Sequence, residues 1–279
     1  MIPEEKLRSG DIAGALEGLQ VHVRQDPSNS RNRVFLFQLL SVMGQWERAM
    51  TQLDVVADLD AGSLPMVHTY KEALRCEVLR AEIFQGKRSP LVFGEPEPWI
   101  AFLVQALRVD AEGDRAAGAE LRSRAFEAAP ATAGTLDGVA FEWIADSDSR
   151  LGPILEAVIR GRYYWVPFFR LRALELDPPS DLRDAVWAPG RLTFSNGGQD
   201  VALIPTRYVG SEAAEDGTLR LARRTEWVPI HEDTYAGLGQ RILCTDAGEH
   251  PLLEVREIRL ATADEEPKGD ASGDGPAPA

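Results

Sequence analysis

The sequence lacks the residue patterns that mark a metal site or a disulfide framework. Its 279 residues include two cysteines, Cys76 and Cys244, and four histidines, none of them at the HxxxH or HxH spacing of zinc ligands. Two widely separated cysteines are also too few for a disulfide framework. We therefore expect two reduced thiols packed as small hydrophobic groups, and neither a metal nor another cofactor.

Basic charge and long apolar runs are scarce as well. The chain has 30 Lys and Arg against 44 Asp and Glu, a formal net charge of -14, which argues against nucleic acid as a partner because phosphate binding requires clustered basic residues. No stretch approaches the ~20 apolar residues that cross a bilayer. Residues 1–5 lack the basic and apolar regions of a signal peptide. We predict a cytoplasmic protein that binds neither nucleic acid nor a membrane.

The motifs of common enzyme classes are missing too. The sequence has no GxSxG elbow, Walker phosphate loop or GxGxxG turn. The strongest catalytic candidate is the cluster of Asp146, Asp148 and Arg150, which includes two serines. Without a base or a metal nearby, such residues usually form turn hydrogen bonds and a local ion pair. We predict that the protein is not an enzyme and keep chemistry at this cluster as an alternative hypothesis.

A repeated sequence motif, which we call the repeated phrase, is the most informative feature that the sequence does have. A glycine, a polar residue, an alanine and a leucine occur at fixed spacing in residues 10–19 and again, 34 positions later, in residues 44–53. A third copy in residues 113–122 is degenerate, with Gly118 and Arg122 in place of the alanine and the leucine. Apolar residues in the first two copies recur at helical spacing. This period is typical of stacked tetratricopeptide-like helix hairpins.

The chain is long enough for two domains, and its pattern changes near the middle. Residues 1–130 are predicted to form a tetratricopeptide-like α-α superhelix. Residues 131–260 contain short runs of strand type joined by tight turns, which predict a smaller β-rich domain and hence an α+β fold. Residues 261–279 are acidic and hold no large apolar side chain, so we predict a disordered tail.

Three hairpins are predicted in the β-rich half. Strands are expected at residues 139–144, 154–159, 163–169 and 172–176. The predicted hairpin turns are Gly161-Arg162, Asn196-Gly197-Gly198 and residues 246–249, the last of them between strands at 240–244 and 252–260.

Stacked helix hairpins leave a concave face that can hold a helix or an extended peptide. Counting back from Gly44 and Gly86 at spacings of three to four identifies residues that share one face of each helix. The predicted peptide-binding residues are Arg31, Val34, Gln38, Ser41, Ala73, Cys76, Arg80 and Phe84. The alternative is that these side chains are solvated or packed against a neighbour.

The aromatic stretch of residues 161–169 has two interpretations. Alternate aromatic residues could fill the β-domain core while Tyr164 and its alternates face outward or meet the helical domain. The stretch could instead form a peptide-binding or inter-domain surface, because Tyr and Trp favour interfaces. Our interface candidates are Tyr164, Trp165, Arg207 and Arg224.

Over residues 5–260 the chain resembles the ImpE/TagJ family of type VI secretion accessory proteins. The matching phrases occur in order along both halves, which is more specific than any single motif. They are residues 33–40, 44–49, 69–77, 93–99, 141–150, 161–167, 205–208, 223–227 and 239–241.

The resemblance implies a non-enzymatic cytoplasmic protein of the contractile injection machine. Family members are thought to bind the N-terminal helix of the small sheath subunit TssB, and so to connect the contracted sheath with its disassembly ATPase ClpV. The resemblance does not identify the residues that contact the sheath. The alternative function is a general helical-repeat adaptor or chaperone that binds peptides outside secretion.

Overall fold

The computed structural model describes residues 2–95 and 97–261. The predicted tail therefore lies outside the described residues, except for Ala261. The described chain combines helices with β-sheets, which confirms the α+β class. The tetratricopeptide-like superhelix and the domain boundary at residue 130 stay predictions.

Helices dominate the first half of the chain. The described residues form helices α1 (Pro3–Arg8), α2 (Ile12–Gln25), α3 (Ser30–Val42), α4 (Trp46–Leu59), α5 (Leu64–Phe84), α6 (Pro98–Ala111), α7 (Arg115–Ala128) and the short α8 (Gly217–Arg220). Each of helices α1 to α4 packs against the next helix along the chain, as short connections between helices favour.

The repeated phrase has a physical basis at the start of α2 and α4. Gly10 and Gly44 adopt positive φ angles of 81° and 66°, which glycine accepts without strain and which end the preceding helix. The alanine and the leucine of each copy, in residues 10–19 and 44–53, are buried in the helical core. The small alanine leaves room for a neighbouring helix, so the two copies are equivalent in packing.

The degenerate third copy lies at the start of α7. Asp114 caps this helix by accepting a hydrogen bond from the backbone N–H of Ala117 at 3.1 Å. Arg122 is buried and donates to Asp110 of α6 at 2.6 Å. A Cβ atom on Gly118 would lie 2.0 Å from the Asp110 carboxylate. The two departures from the repeat are therefore coupled, because glycine leaves the space through which Asp110 reaches Arg122.

Strands dominate the second half. The described residues form strands β1 (Leu91–Val92), which lies between α5 and α6, β2 (Gly134–Leu136), β3 (Val139–Phe141), β4 (Ile144–Asp146), β5 (Ile154–Ile159), β6 (Arg162–Pro167), β7 (Leu171–Leu176), β8 (Trp187–Phe194), β9 (Gln199–Pro205), β10 (Thr225–His231), β11 (Thr234–Gly239), β12 (Ile242–Thr245), β13 (Gly248–Pro251) and β14 (Glu257–Leu260). Nine of them form a large sheet in the order β1-β6-β5-β9-β8-β7-β14-β2-β3, in which only the β1–β6 pair is parallel. Strands β13-β12-β4 and β10-β11 form smaller sheets.

The predicted turns join the expected hairpins β5–β6, β8–β9 and β12–β13. Two strand predictions need correction. The predicted strand 139–144 is two strands, β3 and β4, that belong to different sheets. In the third hairpin, β12 pairs with β13. Residues 252–260, predicted to form the second strand of this hairpin, instead contain β14, which pairs with β2 and β7. A strand's partner depends on distant residues, which local turn signals do not report.

The large sheet is covered on both faces. Side chains of α2 to α6 share one apolar core with Val158, Tyr163 and Trp187 from the sheet. The opposite face holds a second core, which includes Leu155 and Val166. Helices and sheet are thus packed through a common core that crosses residue 130.

Candidate partner-binding surfaces

The predicted groove residues on α5 lie against the sheet. Cys76 is buried, and its Sγ lies 3.5 Å from the carbonyl oxygen of Gly161. Arg80 is only 2% exposed, and the Phe84 ring packs edge-on to Trp165 at 6.2 Å. Strands β5 and β6 therefore cover the face that the spacing identified. This half of the predicted groove is closed.

Ion pairs connect α5 to the large sheet in the buried space between them. The Arg80 guanidinium donates two hydrogen bonds to Glu156 at 2.6 and 2.8 Å. Glu156 also accepts a hydrogen bond from the Tyr163 hydroxyl and lies 3.3 Å from Arg241. Arg241 in turn donates to Asp146 at 2.6 Å. A buried charge is tolerated when it is paired and hydrogen-bonded in this way.

Burial and pairing move the pKa values of these carboxyl groups in opposite directions. Burial alone would raise the pKa of Glu156, but Arg80 and Arg241 outweigh it and hold the pKa at about 2. Burial, together with the neighbouring Asp148 carboxylate, raises the pKa of Asp146 to about 6 despite its pairing with Arg241. Glu156 is thus the anionic centre of the network.

Arg207 fastens helix α3 to the sheet. Its guanidinium donates to the backbone carbonyls of Ser41 and Val42 at 2.9 and 2.7 Å, at the end of α3. It also donates to the carbonyl of Arg220 at 2.6 Å. The last carbonyls of a helix lack intrahelical donors and carry its negative dipole end, so a cation there is favourable. Arg207 is a buried contact within the chain.

The other interface candidates occupy three environments. Trp165 is buried, and its indole N–H donates to the Tyr163 hydroxyl at 2.9 Å. Tyr164 is half-buried on the opposite face, edge-on to Phe93 at 6.2 Å. Arg224 is exposed and pairs with Asp216 at 2.9 Å. The expected alternation of the aromatic stretch is present, but Trp165, rather than Tyr164, meets the helices.

The candidate catalytic cluster consists of paired groups. Asp148 accepts hydrogen bonds from Nε of Arg150 and from the backbone N–H of Gly237, each at 2.9 Å. Asp146 is bound by Arg241. The carboxylates thus hold turns and strands together, which is the structural interpretation of this cluster. Among the described residues no group of three His, Cys, Asp or Glu side chains is arranged to hold a metal ion.

The predicted groove residues on α3 have a different environment. Arg31, Val34 and Gln38 line one surface cavity of about 910 Å³. Arg31 is exposed, Val34 is partly exposed and Gln38 is buried at the cavity wall. Ser41, one turn further on, is buried and donates its hydroxyl to the carbonyl of Phe37 at 2.9 Å. Three of the four residues predicted on this helix therefore meet at one open concavity, which we call the α3 cavity.

Several chain segments complete the α3 cavity. Its remaining lining residues are Glu4, Leu7, Arg8, Ser30, Asn32, Phe35, Asp60, Ser63, Pro179, Ser180, Asp181, Leu182 and Arg223. Asn29 caps the adjoining end of α3, where its side chain accepts from the N–H of Asn32 at 3.1 Å. Sequence reasoning missed residues 179–182 and Arg223 because their approach to α3 depends on the fold of the whole chain.

Comparison with known proteins supports one family. The family model described as ImpE protein matches residues 138–259. The type VI secretion system accessory component TagJ of Pseudomonas aeruginosa is 51% identical over 264 residues, which cover 95% of this chain and 92% of that protein. The chain belongs to the ImpE/TagJ family. The resemblance read from the sequence phrases is thereby confirmed.

A solved structure agrees with the fold of this ImpE/TagJ family member. The crystal structure of a Vibrio parahaemolyticus protein superposes with a TM-score of 0.86, covering 93% of this chain and 97% of the other at 24% identity. This likeness concerns the fold alone. In the described part of the chain, no helix combines the length and apolar character needed to span a membrane.

Proposed function

We propose that this protein is a type VI secretion adaptor that binds the N-terminal helix of the small sheath subunit TssB. Through this contact it links the contracted sheath to the disassembly ATPase ClpV. The adaptor performs no chemistry and works in the cytoplasm. Family membership supports the accessory role, and the α3 cavity supports the mode of binding.

The α3 cavity is the observation that carries the proposal. A helix with its side chains is about 10–12 Å wide, and an amphipathic helix binds by laying its apolar side in a groove. Val34 and Phe35 provide a partly exposed apolar wall that is backed by the helical core. Polar and charged residues surround this wall. Such an arrangement of an apolar centre with a polar rim is typical of protein interfaces.

Capture of purified TssB by the immobilised full chain tests the proposal. We expect the immobilised chain to capture full-length TssB and not to capture TssB that lacks its N-terminal helix. Val34→Asp places a charge in the cavity wall, and Ser180→Trp fills the cavity from an exposed loop. Both variants should reduce capture at least about tenfold, since a buried unpaired charge or a steric block opposes docking.

Val78→Asp is the matched control, because Val78 is an exposed valine on α5. It should capture TssB as the unchanged protein does, and thermal unfolding should verify that all variants are folded. Unchanged capture of TssB lacking its helix would overturn the proposed partner contact and favour a general adaptor role. Normal capture by folded Val34→Asp and Ser180→Trp would exclude the α3 cavity as the site.

A further inference from the structure

Three arginines surround the α3 cavity in an otherwise acidic protein. Arg8, Arg31 and Arg223 all line it and are all exposed. Within residues 2–95 and 97–261, none of the three forms an ion pair, and Arg223 donates a hydrogen bond to the backbone carbonyl of Arg8 at 3.1 Å. We call these three residues the arginine rim. Their charges are available to a partner.

Most acidic groups at the same cavity are already engaged. Asp60 accepts hydrogen bonds from the N–H of Gly62 at 3.0 Å and from the hydroxyl of Ser63 at 2.6 Å. Asp181 accepts from the N–H of Leu182 at 2.7 Å and lies 3.6 Å from Arg183. These carboxylates stabilise turns and helix starts. With Glu4, the lining holds three acidic side chains against the three arginines, so the rim is distinguished by guanidinium groups that have no carboxylate partner within the described chain, and not by an excess of positive charge.

The N-terminus of α3 also lies at this cavity. Arg31 lies in the first turn of that 13-residue helix, which contains no acidic residue. The N-terminal end of a helix carries the positive end of its dipole, so an arginine there is unfavourable for the helix by itself. A carboxylate on a bound partner would be attracted by both Arg31 and the helix end.

We propose that the arginine rim recognises acidic side chains on the helix that occupies the α3 cavity. The partner is thus an amphipathic helix whose apolar side meets Val34 and Phe35 and whose flank carries Asp or Glu. Pairing at the rim raises the association rate and sets the orientation of the helix, and it weakens as salt screens the charges. This inference rests on the proposed use of the cavity and specifies the chemistry of its occupant.

Two designed peptides test the charge preference without requiring TssB. They share length and leucine positions, but one carries glutamates on its flank and the other carries lysines at the same positions. Nuclear magnetic resonance of the full chain should record shifts at Arg8, Arg31, Val34 and Arg223 with the glutamate peptide only. The triple variant Arg8→Glu, Arg31→Glu, Arg223→Glu should lose these shifts and gain them with the lysine peptide.

Arg162→Glu is the matched control, since Arg162 is an exposed arginine on β6 that does not line the α3 cavity. It should respond to the glutamate peptide as the unchanged chain does. Equal responses to the two peptides, or no response to either, would overturn the inference. A second triple variant, with glutamine at the three positions, should bind the glutamate peptide with about tenfold lower affinity. Because it introduces no negative charge, it controls for misfolding caused by charge reversal.

Binding of TssB then separates the inference from the proposed function. We expect its affinity for the unchanged chain to fall between 50 and 300 mM salt, and the glutamine variant to show a weaker salt dependence. If TssB binds equally well to both proteins at each salt concentration, the rim inference fails while the adaptor function stands. If TssB does not bind but the glutamate peptide does, the proposed partner fails and the charge preference stands.

Discussion

Helices α3 and α5 carry two sets of residues selected by the same spacing, and the two sets have opposite environments. Arg31 and Val34 on α3 line an open cavity. Cys76 and Arg80 on α5 are buried under the sheet. Helical periodicity identifies side chains that share a face. The comparison teaches that periodicity does not report whether another part of the chain covers that face.

The charged residues show why the two faces differ. Arg80 has a carboxylate partner in Glu156, which lies on a strand 76 residues away. Arg31 has no such partner among the described residues. A buried guanidinium requires pairing, and on the closed face Glu77 of the same helix lies 3.4 Å from Arg80, while Glu156 from the distant half pairs with it at 2.6 Å. The open face requires none within the chain.

The largest expected effect comes from removing the partner on the closed face. Glu156→Ala should lower the free energy of unfolding by about 3–5 kcal/mol, because Arg80 and Arg241 would stay buried without their shared carboxylate. Urea unfolding measures the change. The exposed Glu175→Ala, which removes a surface pair with Arg191, is the control and should cost under about 1 kcal/mol. A loss of that small size for Glu156→Ala would contradict the assigned role of the network.

Acid should weaken the closed face by a smaller amount. The pKa of Glu156 is about 2 in the folded chain, below its ordinary value of 4.5. A group whose pKa is lower in the folded chain than in the unfolded chain stabilises the fold at pH values above its unfolded-state pKa. This stabilisation is lost as the pH falls toward the folded-state pKa.

We therefore expect the stability difference between the unchanged protein and Glu156→Gln to narrow by about 2 kcal/mol between pH 5.5 and pH 3. Urea unfolding at a series of pH values measures both proteins. Glutamine cannot titrate, so the comparison cancels the other acidic groups. A difference that stays constant or widens on acidification would show that Glu156 is not held ionised by its arginine partners.

The smallest expected effect belongs to the open face. Arg31→Ala should change the free energy of unfolding by under about 0.5 kcal/mol, because an exposed residue outside any ion pair contributes little. Thermal unfolding measures it, and Arg80→Ala serves as the contrast. A loss of several kcal/mol in the free energy of unfolding for Arg31→Ala would show that Arg31, like Arg80, is a structural contact within the chain.

Local signals predicted much of the secondary structure. Gly10 and Gly44 end helices, and Asn196-Gly197 joins β8 to β9, because backbone conformation at these positions is decided by neighbouring residues. The buried alanines and leucines of the first two repeat copies follow from helical spacing alone.

The partners of distant elements could not be predicted in the same way. The pairing of β14 with β2 joins residues more than 100 positions apart, and Arg207 reaches Val42 across 165 positions. For the candidate site, the sequence identified Arg31, Val34 and Gln38 but missed residues 179–182 and Arg223. These contacts depend on complementarity between surfaces, which a single sequence without its fold does not report.

The origin of the cavity walls determines how the protein can be dissected. Helices α1 and α3 supply one side of the α3 cavity, whereas residues 179–182 and Arg223 supply another. A fragment cut at residue 130 would contain the helical wall and lack the opposing one. It would also expose the core side chains that Tyr163 and Trp187 cover. Fragment libraries and two-hybrid baits built from separate halves would therefore score this protein as inert, and intact chains with point substitutions are the suitable reagents.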